Sequence, residues 1–520
     1  MNLTTEPWIP VTDANGVARN VSLREVFAKG DALRDLAVRP HERVALMRLL
    51  ICIAQAALKG PADSEALETC GKVLPAAAEQ YLKEWQESFD LFHPEKPFLQ
   101  FPGLAKPPKP PKKQGKKATA GADESDGEEE GTACSKMDFA LATGNNTTLF
   151  DHGAASDETR VFEARQLALM LVTFQCFSPA GIIGAARWRG LEIPKVTASH
   201  SPCTPSAMLH AFVRRANLLD SILANLLSQW TVEKNYRRAW GCPVWEQMPT
   251  SFSDTAAIAN ATTTYLGRLT QLARAILLRP DGKGLLLANG LDYPTPPEFP
   301  AEPSASLVKK RDESGYALVG AGNKALWREL PAIVVKRLAD DGAGGPLVLG
   351  ELSDDAPLDL WVGALITDKA SILDTVEGVY SVPARMLNEA GRRAYEDEVK
   401  ESERVAWKLG EACKTYRQNM ELKPQGYPEQ AAALRRYWTH IEQRLPLLRA
   451  HLNAADGSDE AETTLGQWRS ALWSAARDAF NSTCANDTPR QLRAHALALR
   501  SLQRSQQQPN DDKQPKTKTA

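Results

Sequence analysis

Neighbouring carboxylates are the first feature of this sequence that could do chemistry. Asp354, Asp355 and Asp359 lie close together in the chain, and clustered carboxylates are the groups that bind divalent cations. Hydrolysis of a phosphodiester by paired metal ions needs carboxylates from several segments, and only this one local cluster is visible. Because Pro357 lies among these residues, an exposed turn is the simpler interpretation. A metal-dependent nuclease or hydrolase is therefore kept as an alternative function.

Other signatures of catalysis or of cofactor binding are absent from the sequence. It contains no glycine-rich dinucleotide motif after a strand, no phosphate-binding loop, no HExxH and no GxSxG. The eight cysteines are far apart, with no CxxC pair and no Cys/His cluster at zinc spacing. We therefore expect a protein that is not an enzyme and that binds no cofactor and no metal.

Basic side chains form patterns that are typical of nucleic-acid binding. If Pro489–Ser505 is one helix, four arginines share one face, and no acidic residue interrupts positions 490 to 504. Such a face can neutralise successive phosphates, although a solvated face whose Arg stems cover apolar surface fits equally well. Two further segments, Arg187–Arg189 and Lys234–Arg238, combine positive charge with an aromatic residue, as do phosphate-binding sites and ordinary surface turns. The face contains Arg490, Arg493, Arg500 and Arg504, while Leu492, Ala496 and Leu499 are predicted to form the apolar face.

Length and composition are those of a folded protein with several domains. The chain has 520 residues, 62 Lys and Arg against 64 Asp and Glu, a formal net charge of −2 and 43% hydrophobic residues. This length allows about two to four domains. The near-zero charge excludes a polycation but not a nucleic-acid-binding protein, because binding depends on locally clustered Lys and Arg. Since no signal peptide and no run of about 18 apolar residues is present, we expect a cytoplasmic protein with no membrane role.

Apolar periodicity predicts an α+β fold, with a large mixed N-terminal domain followed by a C-terminal four-helix bundle. The N-terminal domain is expected to cover residues 1–365, a wedge or hairpin linker 366–383, and the bundle 384–505. The bundle is divided into four helices by breaks near 423–426, 453–457 and 486–489. The predicted N-terminal helices are His41–Leu58, Ala76–Phe89, Leu167–Phe177 and Ser206–Trp230, and short strands are expected at LLLAN, YALVG, AIVVK and PLVLG within Leu285–Leu349.

Two segments have compositions that predict disorder. Residues 106–136 contain a lysine-rich run followed by an acidic run, and neither run has a large apolar side chain. Such a segment cannot bury enough surface to offset its chain entropy. We interpret it as a disordered insertion, and residues 506–520 as a disordered polar tail.

Several ordered motifs, spread over nearly the whole chain, resemble one family. They are NLTTEPWIPV (Asn2–Val11), LMRLLICIAQAAL (Leu46–Leu58), KPFLQF (Lys96–Phe101), NNTTLFDH (Asn145–His152), SPAGIIG (Ser178–Gly184), CTPSAML (Cys203–Leu209), KALWREL (Lys324–Leu330), DKASIL (Asp368–Leu373) and ALALRSL (Ala496–Leu502). In these motifs the sequence resembles the CasA family. CasA is the large subunit of the type I-E CRISPR surveillance complex, which is called Cascade. The resemblance implies a non-catalytic, RNA-guided DNA-binding subunit that recognises the protospacer-adjacent motif (PAM), promotes strand opening and R-loop formation, and recruits a helicase-nuclease for antiviral defence.

The implied partners are double-stranded target DNA, the CRISPR guide RNA, the other Cascade subunits and the helicase-nuclease. The four-helix bundle would contact target DNA and neighbouring subunits. A purely structural scaffold subunit, without nucleic-acid contact, is the second alternative.

The resemblance also implies which residues contact DNA. The family's glycine loop matches Ala180, Gly181 and Gly184, with Ile182 and Ile183 where some relatives have more glycine. The family's wedge, which starts strand separation, matches Thr367, Asp368 and Lys369, and the lysine replaces the glutamine of some members. The family's basic finger falls within Tyr265–Arg274, where Arg268 or Arg274 would supply the charge.

A further loop is implied to dock on the guide RNA and on a neighbouring subunit. It corresponds to NNTTLFDH, in which Asn145, Asn146, Leu149, Phe150 and Asp151 are the matching positions. An exposed Phe150 would serve as an apolar or stacking anchor, and the alternative is a core residue that closes the loop.

Overall fold

A computed structural model of the protein describes residues 1–107, 131–139, 160–235, 240–294, 302–310, 316–322, 324–337, 342–353, 356–368, 371–422, 427–454 and 457–507. The chain divides into two compact units. Met1–Ser353 and Asp359–Ser381 form the first, and Asp354–Leu358 and Val382–Ala520 form the second. Among the helices so described, none combines the length and apolar character needed to cross a membrane.

The first unit mixes helices and strands, which confirms the predicted α+β class. Its core helix is α2, in which Val44–Gln55 is buried without interruption. A helix that is buried on all sides belongs to the centre of a fold, and α3, α4, α5 and α8 pack around it. The helices are α1 Leu23–Lys29, α2 Pro40–Leu58, α3 Ser64–Glu84, α4 Ala164–Phe177, α5 Leu218–Leu223, α6 Gln229–Asn235, α7 Thr255–Thr263, α8 Tyr265–Leu269 and α9 Leu330–Ile333.

The strands of the first unit form small antiparallel sheets rather than one large sheet. Within the described ranges, the strand orders are β2-β1-β3, β4-β9-β8, β5-β6, β10-β11 and β13-β12-β7. The strands are β1 Ile9–Asp13, β2 Ala18–Val21, β3 Leu33–Leu36, β4 Thr132–Ala133, β5 Ala186–Trp188, β6 Leu191–Ile193, β7 His210–Arg214, β8 Arg274–Leu278, β9 Gly284–Asn289, β10 Leu307–Lys309, β11 Tyr316–Leu318, β12 Leu358–Asp368 and β13 Ser371–Val382.

The helix predicted over Ser206–Trp230 is interrupted in its second half, which is helical only over α5 and the start of α6, and it is wrong in its first half. This part contains β7, which pairs with β12 so that Val213 lies opposite Leu360. Helix α5 begins only after Asn217, whose side chain accepts the Asp220 N–H. A short apolar run fits a strand as well as a helix, and here pairing with a distant strand decides between them.

Two other expectations for the first unit need correction. LLLAN and YALVG form β9 and β11 as predicted, whereas AIVVK and PLVLG contribute to α9 and to a turn of 3₁₀ helix at Leu347–Glu351. In the insertion predicted over 106–136, residues 108–130 lie outside the described residues. The end of that segment is ordered, because β4 pairs with β9 and Cys134 is fully buried.

The second unit is helical. Its helices are α10 Glu389–Asn419, α11 Pro428–Glu442, α12 Leu445–Asn453, α13 Asp459–Thr483 and α14 Pro489–Gln507. Helix α10 packs against α11, α13 and α14, and α13 packs against α11 and α12. The three predicted breaks fall between helices. The second predicted helix, however, is two helices in the structure: α11 ends at Glu442, and α12 begins at Leu445 after Gln443 and Arg444.

Candidate nucleic-acid interface

The glycine loop is one side of a long hairpin that leaves the core at α4 and returns at Cys203. We call Ser178–Pro202 the glycine hairpin, Ser178–Gly184 its glycine limb and Val196–Pro202 its return limb. At the base, the Cys203 N–H donates to the Cys176 carbonyl at 3.1 Å. Farther out, Ile183 and Val196 exchange backbone hydrogen bonds of 2.9 and 3.1 Å, and β5 then pairs with β6. The two limbs therefore hold each other over most of their length.

The glycine limb is exposed where it is farthest from the core. Gly181 has a φ of 150°, a conformation that L side chains rarely adopt, and its N–H donates to the Thr197 carbonyl at 2.9 Å. Ile182 is 68% exposed although it is a large apolar residue. Gly184 has no atom within 4 Å of the position that a Cβ would occupy, so the fold itself does not require glycine there.

Beyond the glycine limb, the hairpin carries Arg187, Trp188 and Arg189. Trp188 is only 1% exposed, donates from Nε1 to the Pro102 carbonyl at 2.9 Å, and packs against Phe101 at a centroid distance of 4.8 Å. It is therefore a core residue and cannot stack on a base. Both arginines are exposed, and the Arg189 guanidinium lies 5.0 Å from the centroid of the Trp188 ring. Positive charge thus remains at the tip, and of the two alternatives left open by the sequence, base stacking by Trp188 is excluded.

Arg274 is buried beneath this hairpin. Its side chain is 0% exposed, and it donates to the Pro179 and Ala198 carbonyls, each at 3.0 Å, and to Ser178 Oγ at 2.8 Å. Burial lowers the pKa of Arg274 to about 10, so it remains a cation at neutral pH. The expectation that this guanidinium lies on the surface and contacts DNA is therefore corrected, since its donors are directed at the protein's own backbone.

Arg268 is buried as well, which corrects the second expectation for the basic finger. It is 4% exposed and donates from Nε to Glu302 Oε2 at 3.3 Å and from Nη2 to the Pro202 carbonyl at 3.0 Å. The fully buried Glu302 also pairs with Arg48, whose side chain is 1% exposed. Arg268 therefore joins the return limb to a buried ion cluster and presents no charge to an external ligand.

Three side chains missed by sequence reasoning complete the support of the hairpin. Gln271 Nε2 donates to the His200 carbonyl at 2.7 Å. The hydroxyls of Ser199 and Ser201 donate to the Ser178 carbonyl at 2.5 and 2.6 Å, which joins the two limbs. Burial and the nearby Arg274 charge lower the pKa of His200. No local motif marks these residues, because each acts on a backbone group far away in sequence.

Two of the predicted wedge residues, Thr367 and Asp368, lie at the end of the longest strand pair of the described chain. β12 ends at Asp368, which is exposed, and Thr367 before it is half-buried. Lys369 lies outside the described residues, and β13 begins at Ser371. β12 lies between β13 and β7, and its pairing with β7 covers Asp359–Gly363, several residues before its end.

The predicted docking loop, with Asn145, Asn146, Leu149, Phe150 and Asp151, lies outside the described residues. So do Asp354 and Asp355, while the half-buried Asp359 accepts a hydrogen bond of 2.6 Å from Ser381 Oγ. The described part of the chain contains no group of three or more His, Cys, Asp or Glu that could hold a metal ion.

Helix α14 presents all four predicted arginines to solvent. Arg490, Arg493, Arg500 and Arg504 are exposed, and Arg490 pairs with Glu421 at 2.6 Å. The predicted apolar face is wrong, because Leu492 is 56% exposed and the buried side consists of Ala494, Ala498 and Leu502. Alanines four residues apart allow close packing against α10 and α13, which turns the arginines outward.

Comparison with known proteins agrees with this architecture. Residues 2–479 match the model of the CRISPR-associated protein Cse1 family. CRISPR-associated protein CasA/Cse1 from Thermus thermophilus is 27% identical over 507 residues, which cover 93% of this chain and 92% of that relative.

Solved structures have the same fold. Cse1 from Thermobifida fusca gives a TM-score of 0.76 at 20% identity and covers 98% of both chains. A chain from a CRISPR RNA-guided surveillance complex gives a TM-score of 0.68 at 19% identity and covers 96% of this chain and 99% of its own. Since the family match spans nearly the whole sequence, this protein belongs to the Cse1 family, also named CasA, as its motifs predicted.

Proposed function

We propose that this protein is the large, non-catalytic subunit of a type I-E CRISPR surveillance complex, Cascade, and that it recognises the PAM in duplex DNA. The observation that carries the proposal is that the glycine limb exposes Ile182 and Gly184 while its own hairpin fixes its backbone. Family membership and the likeness to a chain of an RNA-guided surveillance complex support the same role.

The geometry of the limb suits the DNA minor groove. That groove is only about 6 Å wide and offers a degenerate pattern of donors and acceptors, so slender groups can enter where bulky ones cannot. Gly181 and Gly184 remove side chains from the exposed edge, and Ala180 adds only a methyl group. The fixed backbone then supplies N–H and C=O groups at set positions, while pairing with the guide RNA supplies the longer sequence specificity.

Strand opening is assigned to the end of β12. Thr367, Asp368 and Lys369 would enter the duplex beside the PAM and start R-loop formation. The wedge would be supported by the strand behind it, since β12 is paired with β13 and, over Asp359–Gly363, with β7. Lysine at its tip would contact a phosphate or a base edge but would not read a base as an amide does, so the preferred PAM would differ from that of relatives with glutamine.

The remaining partners are assigned by family membership. Asn145, Asn146, Leu149, Phe150 and Asp151 would dock on the guide RNA and on a neighbouring Cascade subunit. The arginines of α14 would follow the backbone of target DNA, and the assembled complex would recruit the helicase-nuclease. This assignment needs neither a metal nor a cofactor.

The test is a binding experiment on the reconstituted guide-RNA complex, with and without this subunit. Matched duplex targets carry a library of flanking trinucleotides, and the dissociation constant is measured for each. We expect binding that depends on both the subunit and the flank, with a preference that is blunted by Lys369→Ala. A subunit that joins the complex without changing flank dependence would be a scaffold. Cleavage that depends on a divalent metal and is lost in Asp355→Ala would support the nuclease instead.

A further inference from the structure

We propose that Arg274 is a positioning residue that fixes the glycine limb in the geometry needed for PAM recognition without contacting DNA. This inference rests on the proposed function of the limb. On this view, the selectivity of the glycine limb depends on a guanidinium that is buried beneath it. That guanidinium belongs to β8, a strand outside the hairpin.

The support begins with the return limb, which is held at alternate residues. Arg268 donates to the Pro202 carbonyl, Gln271 to that of His200, and Arg274 to that of Ala198, at distances of 3.0, 2.7 and 3.0 Å. In extended chain, every second carbonyl points to the same side. One row of side-chain donors, spaced three residues apart, therefore fixes three alternate carbonyls of the limb.

The hydrogen bonds of Arg274 reach both limbs. The same nitrogen, Nη2, lies 3.0 Å from the carbonyl oxygens of Pro179 and Ala198, and Nε lies 2.8 Å from Ser178 Oγ. A further nitrogen, Nη1, lies 3.3 Å from Asn289 Oδ1 on the neighbouring strand β9. The guanidinium thus sets the separation of the two limbs and ties both to the β8–β9 sheet.

The position of Arg274 is itself fixed. Gln175, in α4 just before the hairpin, accepts the Arg274 N–H and donates to the Arg274 carbonyl, both at 3.0 Å. The backbone of residue 274 is therefore paired with the helix from which the glycine limb departs. A shift of β8 relative to α4 would move the limb with it.

A planar guanidinium suits this place better than any other side chain. It presents five N–H donors in a rigid fork, whereas lysine presents one nitrogen on a flexible stem. Removing the fork would take this donor from the carbonyls of Pro179 and Ala198, whose hydrogen bonds to it are partly buried. Hydrogen bonds from a charged donor are stronger than those between neutral groups, so their loss weakens the tie between the limbs. The limbs would relax toward water, and a binding site that is displaced by more than about 0.5 Å loses its selectivity.

A direct contact between Arg274 and a DNA phosphate makes a different prediction. Affinity for DNA falls as salt rises, and each phosphate contact adds about 0.9 to the magnitude of the negative slope of log Kobs against log salt concentration. A positioning residue changes the ratio of affinities for two flanks and leaves that slope unchanged. The two roles are therefore separated by one titration series.

The experiment uses the complete reconstituted complex with four forms of the subunit besides the wild type. Arg274→Lys keeps the charge without the fork, and Arg274→Met removes both. The double variant Ser199→Ala, Ser201→Ala removes the two hydrogen bonds to the Ser178 carbonyl that join the limbs, without changing the charge. Arg279→Met, five residues along the chain from Arg274, is the control for loss of one positive charge at the end of β8. Each complex is titrated with a preferred and a disfavoured flank at several salt concentrations.

We expect the Arg274 variants and the double serine variant to lower flank discrimination by about tenfold, the size of one lost base-pair preference. Their salt slopes should match the wild type, and the Arg279 control should retain discrimination. Full discrimination in Arg274→Lys and in the double serine variant would overturn the inference. A salt slope reduced by about 0.9 in Arg274→Met alone would assign a phosphate contact instead.

Amide hydrogen exchange separates an effect on the hairpin from a general loss of folding. Amide hydrogen exchange should become faster at Gly181 and Ile183, whose N–H groups bond the return limb, while the α2 core stays protected. If Arg274→Met fails to fold, the double serine variant carries the test. If the wild type does not distinguish flanks, the proposed function fails. If the wild type distinguishes flanks and the variants do so equally well, the positioning role fails and the function stands.

Discussion

Glu302 shows how strongly one buried charge can matter to the first unit. It is fully buried between two guanidiniums, those of Arg48 and Arg268, which are 1% and 4% exposed. Breaking a buried ion cluster by removing one partner leaves an uncompensated charge, which costs about 3–5 kcal/mol. We therefore expect Glu302→Gln to lower the free energy of unfolding of the first unit by about this amount, as measured by urea titration.

The matched control is Glu25→Gln, which breaks a partly exposed pair with Arg19. Partly exposed pairs contribute about 1 kcal/mol or less. Equal losses in the two variants would contradict the argument. Replacing all three members of the cluster by Met should recover much of the loss, because no buried charge then remains.

His41 makes a prediction about acid stability. It is buried at the start of α2, between the rings of Phe139 and Phe177 at centroid distances of 5.6 and 6.3 Å. Burial, and secondarily the Arg39 charge, lowers its pKa to about 3. Between about pH 3 and 6.5 the unfolded chain therefore binds more protons than the folded protein, so stability falls as the pH falls.

His41→Phe keeps an aromatic ring and removes this proton linkage. Between pH 7.5 and pH 5, the wild type should lose about 2 kcal/mol more unfolding free energy than the variant. Urea unfolding of both proteins at the two pH values measures the difference. Parallel losses would show that His41 is not the group that titrates.

At the scale of elements, helix α2 and the end of α4 could be predicted because periodic apolar residues identify a buried helix locally. The glycine limb could be placed from its motif. Its support could not, because Arg274 bonds Ser178 and Ala198 across 96 and 76 residues of sequence. For the same reason β7 was mistaken for helix, since its partner β12 lies far along the chain.

The glycine limb also predicts different outcomes for its two glycines. Gly181→Ala forces a side chain into a φ of 150°, a conformation that costs about 1–3 kcal/mol, so it should disturb the hairpin itself. Gly184→Ala meets no atom within 4 Å and should leave the melting temperature unchanged. If DNA approaches this edge closely, the added methyl should still reduce flank discrimination in the reconstituted complex.

The control for this pair is Gly322→Ala, which also meets no atom within 4 Å. It should change neither melting temperature nor discrimination. Wild-type discrimination in Gly184→Ala would contradict a close approach of DNA at that residue.

For the whole molecule, the charge balance decides where affinity for DNA can come from. The chain as a whole carries a formal net charge of −2, so it has no overall attraction for a polyanion. Attraction must then arise from local clusters, where Lys and Arg gather on one face without acidic neighbours. In the second unit, α14 has such a face at Arg493, Arg500 and Arg504, which are exposed on a helix that contains no acidic residue. The fourth arginine, Arg490, pairs with Glu421.

We therefore expect the combined change Arg493→Gln, Arg500→Gln and Arg504→Gln to lower the salt slope of DNA binding by about 2–3, since each lost phosphate contact removes about 0.9. The ratio of affinities for different flanks should not change, because phosphate contacts carry no sequence information. The control replaces Arg393, Lys400 and Lys414 of α10 by Gln, which removes the same charge from side chains paired with Glu389, Glu396 and Glu411. An equal fall in slope for both triple variants would mean that only the total charge of the protein matters, and that α14 does not follow the DNA backbone.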